Sequence, residues 1–302
     1  MKKAMEQFTV KVPASTANLG PGFDTFGLAL PLYLTICVKT AEKTSIKLIG
    51  KHLRELPVDE NNLIYKSIQH LYKLENKNVP PLALEIESEI PLSRGLGSSG
   101  AAIVGGLLAG NNLLGNPKSI DDIFRIAAEI EGHPDNVGAS LYGGFVIAVN
   151  EGKEIILEKI AFPEDLKIIL AIPDYTLATS MARQAIPASI PLKDTALNIG
   201  YSALFMVYLL TGQTEKLPLA IKDRVHQPYR QKYVKGLERL LTLENKNIYS
   251  AVLSGAGPTI LLFVKDNDIT NAKKKLVQVA EEESINFEIK TLSYAKQGAE
   301  VI

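Results

Sequence analysis

Ile90–Ala101, IPLSRGLGSSGA, constrains this chain more than any other stretch: a glycine- and serine-rich loop opens directly into a small-residue helix ending near Leu114. An extended apolar run (Leu82, Leu84, Ile86) leads into it, so the local order is strand, loop, helix. Gly95 and Gly97 let the backbone take positive φ and approach a ligand closely. The free N–H groups of the first helical turn then point at whatever anion sits there, with the helix dipole behind them. Ser98 and Ser99 can cap the helix and offer hydroxyls to a phosphate or a metal ion. The helix, AAIVGGLLAG, is so rich in Ala and Gly that another backbone has to pack close against it. Neither GxxxxGKS/T nor GxGxxG fits, so this is neither a P-loop nor a dinucleotide fingerprint.

Composition narrows the partners. With 302 residues the chain can bury a sizeable core in one large or two moderate domains. Its 33 basic and 33 acidic residues cancel, whereas a nucleic-acid partner would leave a basic excess. The long uncharged stretch after Gly95 is interrupted by glycines and by Asn111 and Asn112, unlike a membrane span of ~20 mainly apolar residues. MKKAMEQFTV has no apolar core or cleavage site and does not read as a signal peptide. A single cysteine, Cys37, excludes an internal disulfide and suits a reducing cytoplasm.

Periodicity predicts mixed α and β structure. Strands are expected at Phe8–Val12, Leu28–Thr40, Ser45–Ile49 and Leu82–Ser88, with helices at Asn62–Leu74 and Ile120–Ile130. A hairpin is expected over Gly144–Val149 and Ile155–Ile160. Beyond a boundary near Ala161–Asp165 the pattern restarts. Strands are read at Lys167–Ile172, Ser250–Leu253, Ile260–Val264 and Asn286–Thr291. Helices are read at Thr179–Ala185, Thr195–Leu210, Tyr229–Leu241 and Ile269–Glu282. The division is therefore 1–162 and 163–302, the second part an α+β sandwich.

Four further constellations carry chemistry. In PASTANLGPGFD (Pro13–Asp24), Gly20, Pro21 and Gly22 force a tight turn with Asn18 and Asp24 on either side. That amide and carboxylate either stabilise the turn or hold a small polar ligand, the carboxylate suiting an ammonium group. In AAEIEGHPDNVGAS (Ala127–Ser140), Glu129 could reach Mg²⁺, which takes one or two carboxylates plus phosphate oxygens and water. Thr179 and Arg183 share a helix face, and Arg230 precedes an amphipathic helix. Either arginine can be a surface ion-pair partner or a bidentate carboxylate fork. SGAGPT (Ser254–Thr259) is a glycine-rich turn between two strands.

Together these motifs resemble those of the GHMP small-molecule kinases: PAx-x-ANLG-x-GFD near the start, Pro…Gly-Leu-Gly-Ser-Ser in the middle, and the late glycine-rich turn. The His133-x-Asp135-Asn136 run, Thr179-x-x-x-Arg183 and the later Pro228-x-Arg230 are similar to the homoserine kinase branch. The resemblance implies an α+β fold with an N-terminal α/β domain containing a left-handed βαβ crossover and a ferredoxin-like C-terminal domain. It implies phosphorylation of L-homoserine with ATP and Mg²⁺ in the cytoplasm, on the route to threonine, and leaves room for a homodimer. The nucleotide would lie against Pro91, Leu92, Ser93, Arg94, Gly95, Leu96, Gly97, Ser98, Ser99, Gly100 and Ala101, with Asn62 leading into the adenine pocket. Ser98 (or Ser99) and Glu129 would hold the metal. Asn18, Asp24, His133, Thr179, Arg183 and Arg230 would fix the substrate. Asn136 would occupy the place where other members carry a basic Asp. Two rivals share the scaffold: a mevalonate- or shikimate-type kinase, and a catalytically silent ligand sensor.

Overall fold

The computed structural model describes residues 7–53, 56–152, 154–242 and 250–302. Its first half is built around β1 (Gln7–Asn18) and the long β2 (Gly22–Thr40), which runs antiparallel to it along nearly its whole length. β3 (Ser45–Ile49), α1 (Leu63–Leu74) and β4 (Leu82–Ser88) form a βαβ unit whose two strands pair in parallel. α2 (Ser98–Leu113), α3 (Ile120–Glu131) and α4 (Pro134–Tyr142) follow, then the hairpin β5 (Phe145–Asn150) and β6 (Ile155–Ile160). β2 is long enough to pair β4 through Leu34–Thr40 and β5 through Phe26–Leu28, so the sheet branches around it.

α2 packs as its composition demands. A Cβ added at Gly106 would sit 2.4 Å from the Ile64 carbonyl of α1, and one at Gly105 2.6 Å from Ile36 Cδ1 of β2. Ile103, Val104 and Leu107 on the same helix are fully buried, each contributing about 1.5–3 kcal/mol relative to exposure. This close packing fixes where the helix N-terminus points.

The second half consists of β7 (Leu166–Pro173), α5 (Thr179–Gln184), α6 (Leu192–Leu210), α7 (Leu217–Ala220), α8 (Gln227–Arg230), α9 (Leu237–Leu241), β8 (Ser250–Leu253), β9 (Ile260–Lys265), α10 (Ile269–Glu282) and β10 (Phe287–Leu292). Its sheet order, β10-β7-β9-β8, is antiparallel throughout. With one helical passage between β7 and β8 and α10 between β9 and β10, this is the expected ferredoxin-like arrangement.

The structure differs from expectation at four places. β1 and β2 run on to the Leu19–Pro21 turn, since Ala14–Ala17 pair with Gly27–Leu30 and, after a register shift, Asn18 pairs with Gly22. α4 is a helix where the sequence pattern assigns no element; Pro134 opens it and all but Tyr142 of its side chains are buried, so no amphipathic period marks it. Tyr229–Leu241 is not one helix: a 3₁₀ turn follows α8, and Gly236, at φ +76, restarts the chain as α9. Finally, the chain end returns to the first sheet, where β11 (Glu300–Val301) pairs β1.

Candidate active site

The β1–β2 turn, the loop before α2 and the turn after β8 meet at one point. Asn18, Leu19, Gly20 and Asp24 all have positive φ, and Asn18 holds the turn together. Its Oδ1 accepts from the Asp24 N–H at 2.9 Å, and its Nδ2 donates to the Gly255 carbonyl at 2.8 Å. Both ends of that amide are therefore engaged within the chain. Gly97, at φ +68, is the N-cap of α2; a Cβ there would lie 2.0 Å from Ser15 Oγ. A Cβ on Gly95 would lie 2.1 Å from the Ser254 carbonyl, while Ser254 Oγ donates to the Gly95 carbonyl at 2.6 Å. The loop is clamped from both sides, and the first turn of α2 opens between two clefts.

One cleft is apolar, walled by Leu34, Leu48, Leu53, Ile86, Ile90 and Ala102, with Asn62 on its rim. Asn62 caps α1 through the Ile64 N–H at 3.0 Å and donates to the Pro57 carbonyl at 2.8 Å. The other cleft is polar and contains Asn18, Asp24, Glu131, His133, Asn136, Thr179, Arg183 and Arg230. Ser93, Ser98 and Ser99 face both, and Leu92 lines the apolar cleft while Gly95, Leu96 and Gly97 line the polar one. Pro91, Arg94, Gly100 and Ala101 line neither. Arg94 instead ties the loop to the end of β7, donating to the Pro173 and Asp174 carbonyls at 2.9 Å each.

Glu129 is also displaced from its expected place. It is exposed on α3 and lines neither cleft, whereas Glu131 reaches the N-terminus of α2 and accepts from Ser99 Oγ at 2.8 Å. Two residues on a helix differ by about 200°, so only one of the two acids can face the site. Burial pushes the Glu131 carboxyl above its usual range, against the opposing pull of His133 and Ser99. Ser99, rather than Ser98, makes the hydroxyl–carboxylate pair.

Across the cleft, His133 Nδ1 lies 2.9 Å from Asp135 Oδ1, which also accepts from the Asn136 N–H at 2.6 Å. Burial works against charge on His133, but the carboxylates of Asp135, Glu131 and Asp24 outweigh it and raise the imidazole above its usual value. Asn136 Oδ1 accepts from Ser15 Oγ at 2.9 Å, pinning this amide beside Gly97. Thr179 opens α5, and Arg183, a turn later, forms a two-pronged bond to Asp24 at 2.9 Å and 2.9 Å. Arg230 is deeper, 2% exposed, donating to the Ala182 carbonyl at 3.0 Å and the Gly255 carbonyl at 3.2 Å. Burial, reinforced by Arg183, lowers it to about 10.

Sequence reasoning missed two residues behind this wall. Phe23 lies 5.6 Å from the Arg183 guanidinium and 5.4 Å from that of Arg230. His226, fully buried, stacks on Phe23 at 5.4 Å and contacts the Gly20 carbonyl through Nε2 at 2.9 Å. The available signals were the aromatic next to Asp24 and the histidine four residues before Arg230.

Residues 62–144 match the GHMP kinases N-terminal domain. A homoserine kinase from Synechocystis sp. is 37% identical over 302 residues, covering 98% of this chain and 99% of that one. The chain belongs to the homoserine kinase family. A second family member, from Deinococcus radiodurans, is 41% identical over 266 residues, covering 87% of this chain and 86% of its own. The crystal structure of homoserine kinase from Cytophaga hutchinsonii superposes with a TM-score of 0.87 at 25% identity, covering 100% of this chain and 99% of that one. A mevalonate kinase structure reaches 0.70 at 18% identity, covering 96% of this chain and 99% of that one, and so shares the fold.

Proposed function

We propose that this homoserine kinase family member transfers the γ-phosphoryl group of ATP to the side-chain hydroxyl of L-homoserine, serving threonine synthesis in the cytoplasm. The observation that carries this reading is the juxtaposition at α2. An apolar cleft and a cleft lined by Asp24, Arg183 and Arg230 share Ser93, Ser98 and Ser99 at one helix N-terminus. A nucleoside triphosphate fits the first with its phosphates on the helix N–H groups. An α-amino acid fits the second, with its carboxylate toward the arginines and its ammonium toward Asp24.

Ser99 and Glu131 suit a magnesium ion: both are hard oxygen donors, and a buried carboxylate with a raised pKa gains from a cation beside it. When bound there, Mg²⁺ would supply charge neutralisation to the phosphates. The chain's own contribution is placement. Gly95 and Gly97 bring backbone close to the triphosphate, and Ser15 with Asn136 keeps Gly97 in position. Asp24 exchanges Arg183 for the substrate ammonium, and Arg183 exchanges Asp24 for the substrate carboxylate. His133, steadied by Asp135, and Thr179 orient the rest of the amino acid. Such alignment and charge stabilisation carry most of the catalysis in phosphoryl transfer. Asn136 offers an amide rather than a base, so the hydroxyl proton passes to the transferring phosphoryl group. The nucleotide part of the chain is assigned to residues 1–162 and the carboxylate-gripping part to 163–302.

A coupled ADP-release assay with L-homoserine, mevalonate and shikimate side by side tests the assignment. Turnover confined to L-homoserine is expected; preference for either hydroxy acid would overturn it, and no turnover with any would favour a ligand sensor.

A further inference from the structure

We propose that His226 is a positioning residue for Arg230: its neutral imidazole holds the guanidinium without cancelling the charge that grips the substrate carboxylate. The inference rests on the amino-acid reading of the polar cleft given above. Arg230 carries its charge into a nearly sealed position, 2% exposed. No carboxylate among the described residues pairs with it, whereas Arg183 has Asp24 at 2.9 Å. The partners of Arg230 are all uncharged acceptors. Nε donates to the Ala182 carbonyl at 3.0 Å, and Nη1 donates to the Gly255 carbonyl and to His226 Nδ1, each at 3.2 Å. Nη1 has two hydrogens and two acceptors, so Nη2 is the nitrogen left for a ligand in the cleft that Arg230 lines. With one nitrogen to offer, Arg230 depends on whatever fixes its orientation.

His226 is itself fixed. Its ring stacks on Phe23 at 5.4 Å, and Nε2 lies 2.9 Å from the Gly20 carbonyl. The Asp223 carboxylate accepts from the N–H groups of Val225 and His226 at 2.9 Å and 3.0 Å. Gln227 Oε1 accepts from the Leu253 N–H at 2.7 Å and ties the segment to β8. Because the same ring carries Gly20, it also couples Arg230 to the turn that bears Asn18 and Asp24.

These contacts decide which ring nitrogen holds the proton. A carbonyl only accepts, so Nε2 bears the hydrogen; a guanidinium only donates, so Nδ1 is bare. A protonated ring would set N–H against N–H and place a second positive charge beside Arg230. Burial acts in the same direction, lowering the imidazole below its usual value. The state that satisfies both neighbours is neutral, and the charge on Arg230 stays available to an anion. A carboxylate in place of the imidazole would fix the guanidinium equally well but would compete with the substrate, as Asp24 does at Arg183.

Two amides separate the two bonds of the ring. Asn places its Oδ1 where Nδ1 stands but does not reach Gly20. Gln reaches Gly20 with an N–H but leaves no acceptor for Arg230. In steady-state kinetics on the full chain, His226→Gln is expected to raise homoserine KM about fivefold, with kcat and ATP KM within about twofold. His226→Asn should stay within about twofold of wild type in homoserine KM, even where urea unfolding shows it to be the less stable variant. Equal homoserine KM values in the two variants, or Asn worse than Gln, would mean that the ring serves packing alone and would overturn the proposal. Nitrogen-15 NMR of the histidine-labelled chain gives a readout free of substrate. The His226 signals, assigned by their loss in His226→Gln, should show a protonated Nε2 and a bare Nδ1 at neutral pH. A proton on Nδ1 would equally overturn the proposal. A wild type that shows this tautomer but does not phosphorylate homoserine would sink the substrate assignment and leave the hold on Arg230 standing.

Discussion

The two clefts that meet at the N-terminus of α2 are held in opposite ways. The apolar cleft is walled by β2, β3, β4 and α1 side chains of the main core, and its rim amide, Asn62, is bonded at both ends. It is shaped in advance, by backbone closeness and packing. The polar cleft is closed on itself, because Arg183 and Asp24, 159 residues apart, grip each other where a substrate would lie. Nucleotide binding should therefore fail when volume is added, and amino-acid binding when the geometry of a charge pair is lost.

The sharpest way to break the contrast is Gly97→Val. Its Cβ would fall 2.0 Å from Ser15 Oγ, at a φ of +68 that a β-branched residue does not tolerate. Loss of ATP affinity by at least about 100-fold is expected, because the helix N–H groups can no longer be presented to the phosphates. Calorimetry on a variant shown to be folded would decide it, and an unchanged affinity would take the loop out of the site.

Next in size is Glu131→Gln, at the seam between the clefts. Removing this carboxylate should lower kcat on the order of 100-fold while homoserine binding without nucleotide stays close to wild type. Glu129→Gln, on the exposed face of α3, should change neither by more than about twofold. Steady-state kinetics with the two variants in parallel checks this; the reverse ranking would restore Glu129 to the metal.

The same contrast explains what could be read from the sequence. β4, the glycine-serine loop and α2 were legible almost to the residue, because their signals are local: alternation, then Gly and Ser, then a small-residue helix. Asn62 likewise read as the start of α1, and it is the N-cap. The polar cleft is assembled from distant segments, and no periodicity reports a pairing such as Asp24 with Arg183. That Glu131 and not Glu129 faces the cleft was hidden at a helix end, where two acids two residues apart leave the rotational phase undecided until packing sets it. α4 was hidden because a helix buried on all sides has no polar face to create a period. β11 is two exposed residues, and only the distant β1 makes it a strand.

Smaller effects are expected within the polar cleft. Arg183→Lys keeps the charge but loses the two-pronged fork, so homoserine KM should rise about 10-fold while ATP KM stays within about twofold. Asp24→Asn should act in the same direction through the ammonium. 4-Hydroxybutyrate, which lacks that group, should be a poor substrate because Asp24 is left without a partner. Should the analogue turn over as fast as homoserine, or Arg183→Lys weaken ATP instead, the division of labour between the clefts collapses.

The smallest effect lies in the deep wall of the polar cleft. His226 is fully enclosed beneath Phe23, with Nε2 2.9 Å from the Gly20 carbonyl. Burial lowers its pKa below the usual 6.5; Asp223 pulls the other way, and the nearby Arg230 charge adds to the lowering. Between the depressed folded-state value and 6.5 the unfolded chain binds a proton that the folded chain does not. Stability from this group is therefore complete above about pH 6.5 and declines as pH falls through that value. In His226→Gln that titration is gone, while the amide keeps an N–H for Gly20. The stability advantage of wild type over this variant, measured by urea unfolding, should shrink as pH is lowered from about 7.5 to about 5.5. A constant difference across that range would mean that His226 does not titrate on unfolding. The buried wall would then owe its rigidity to packing alone, as the apolar cleft does.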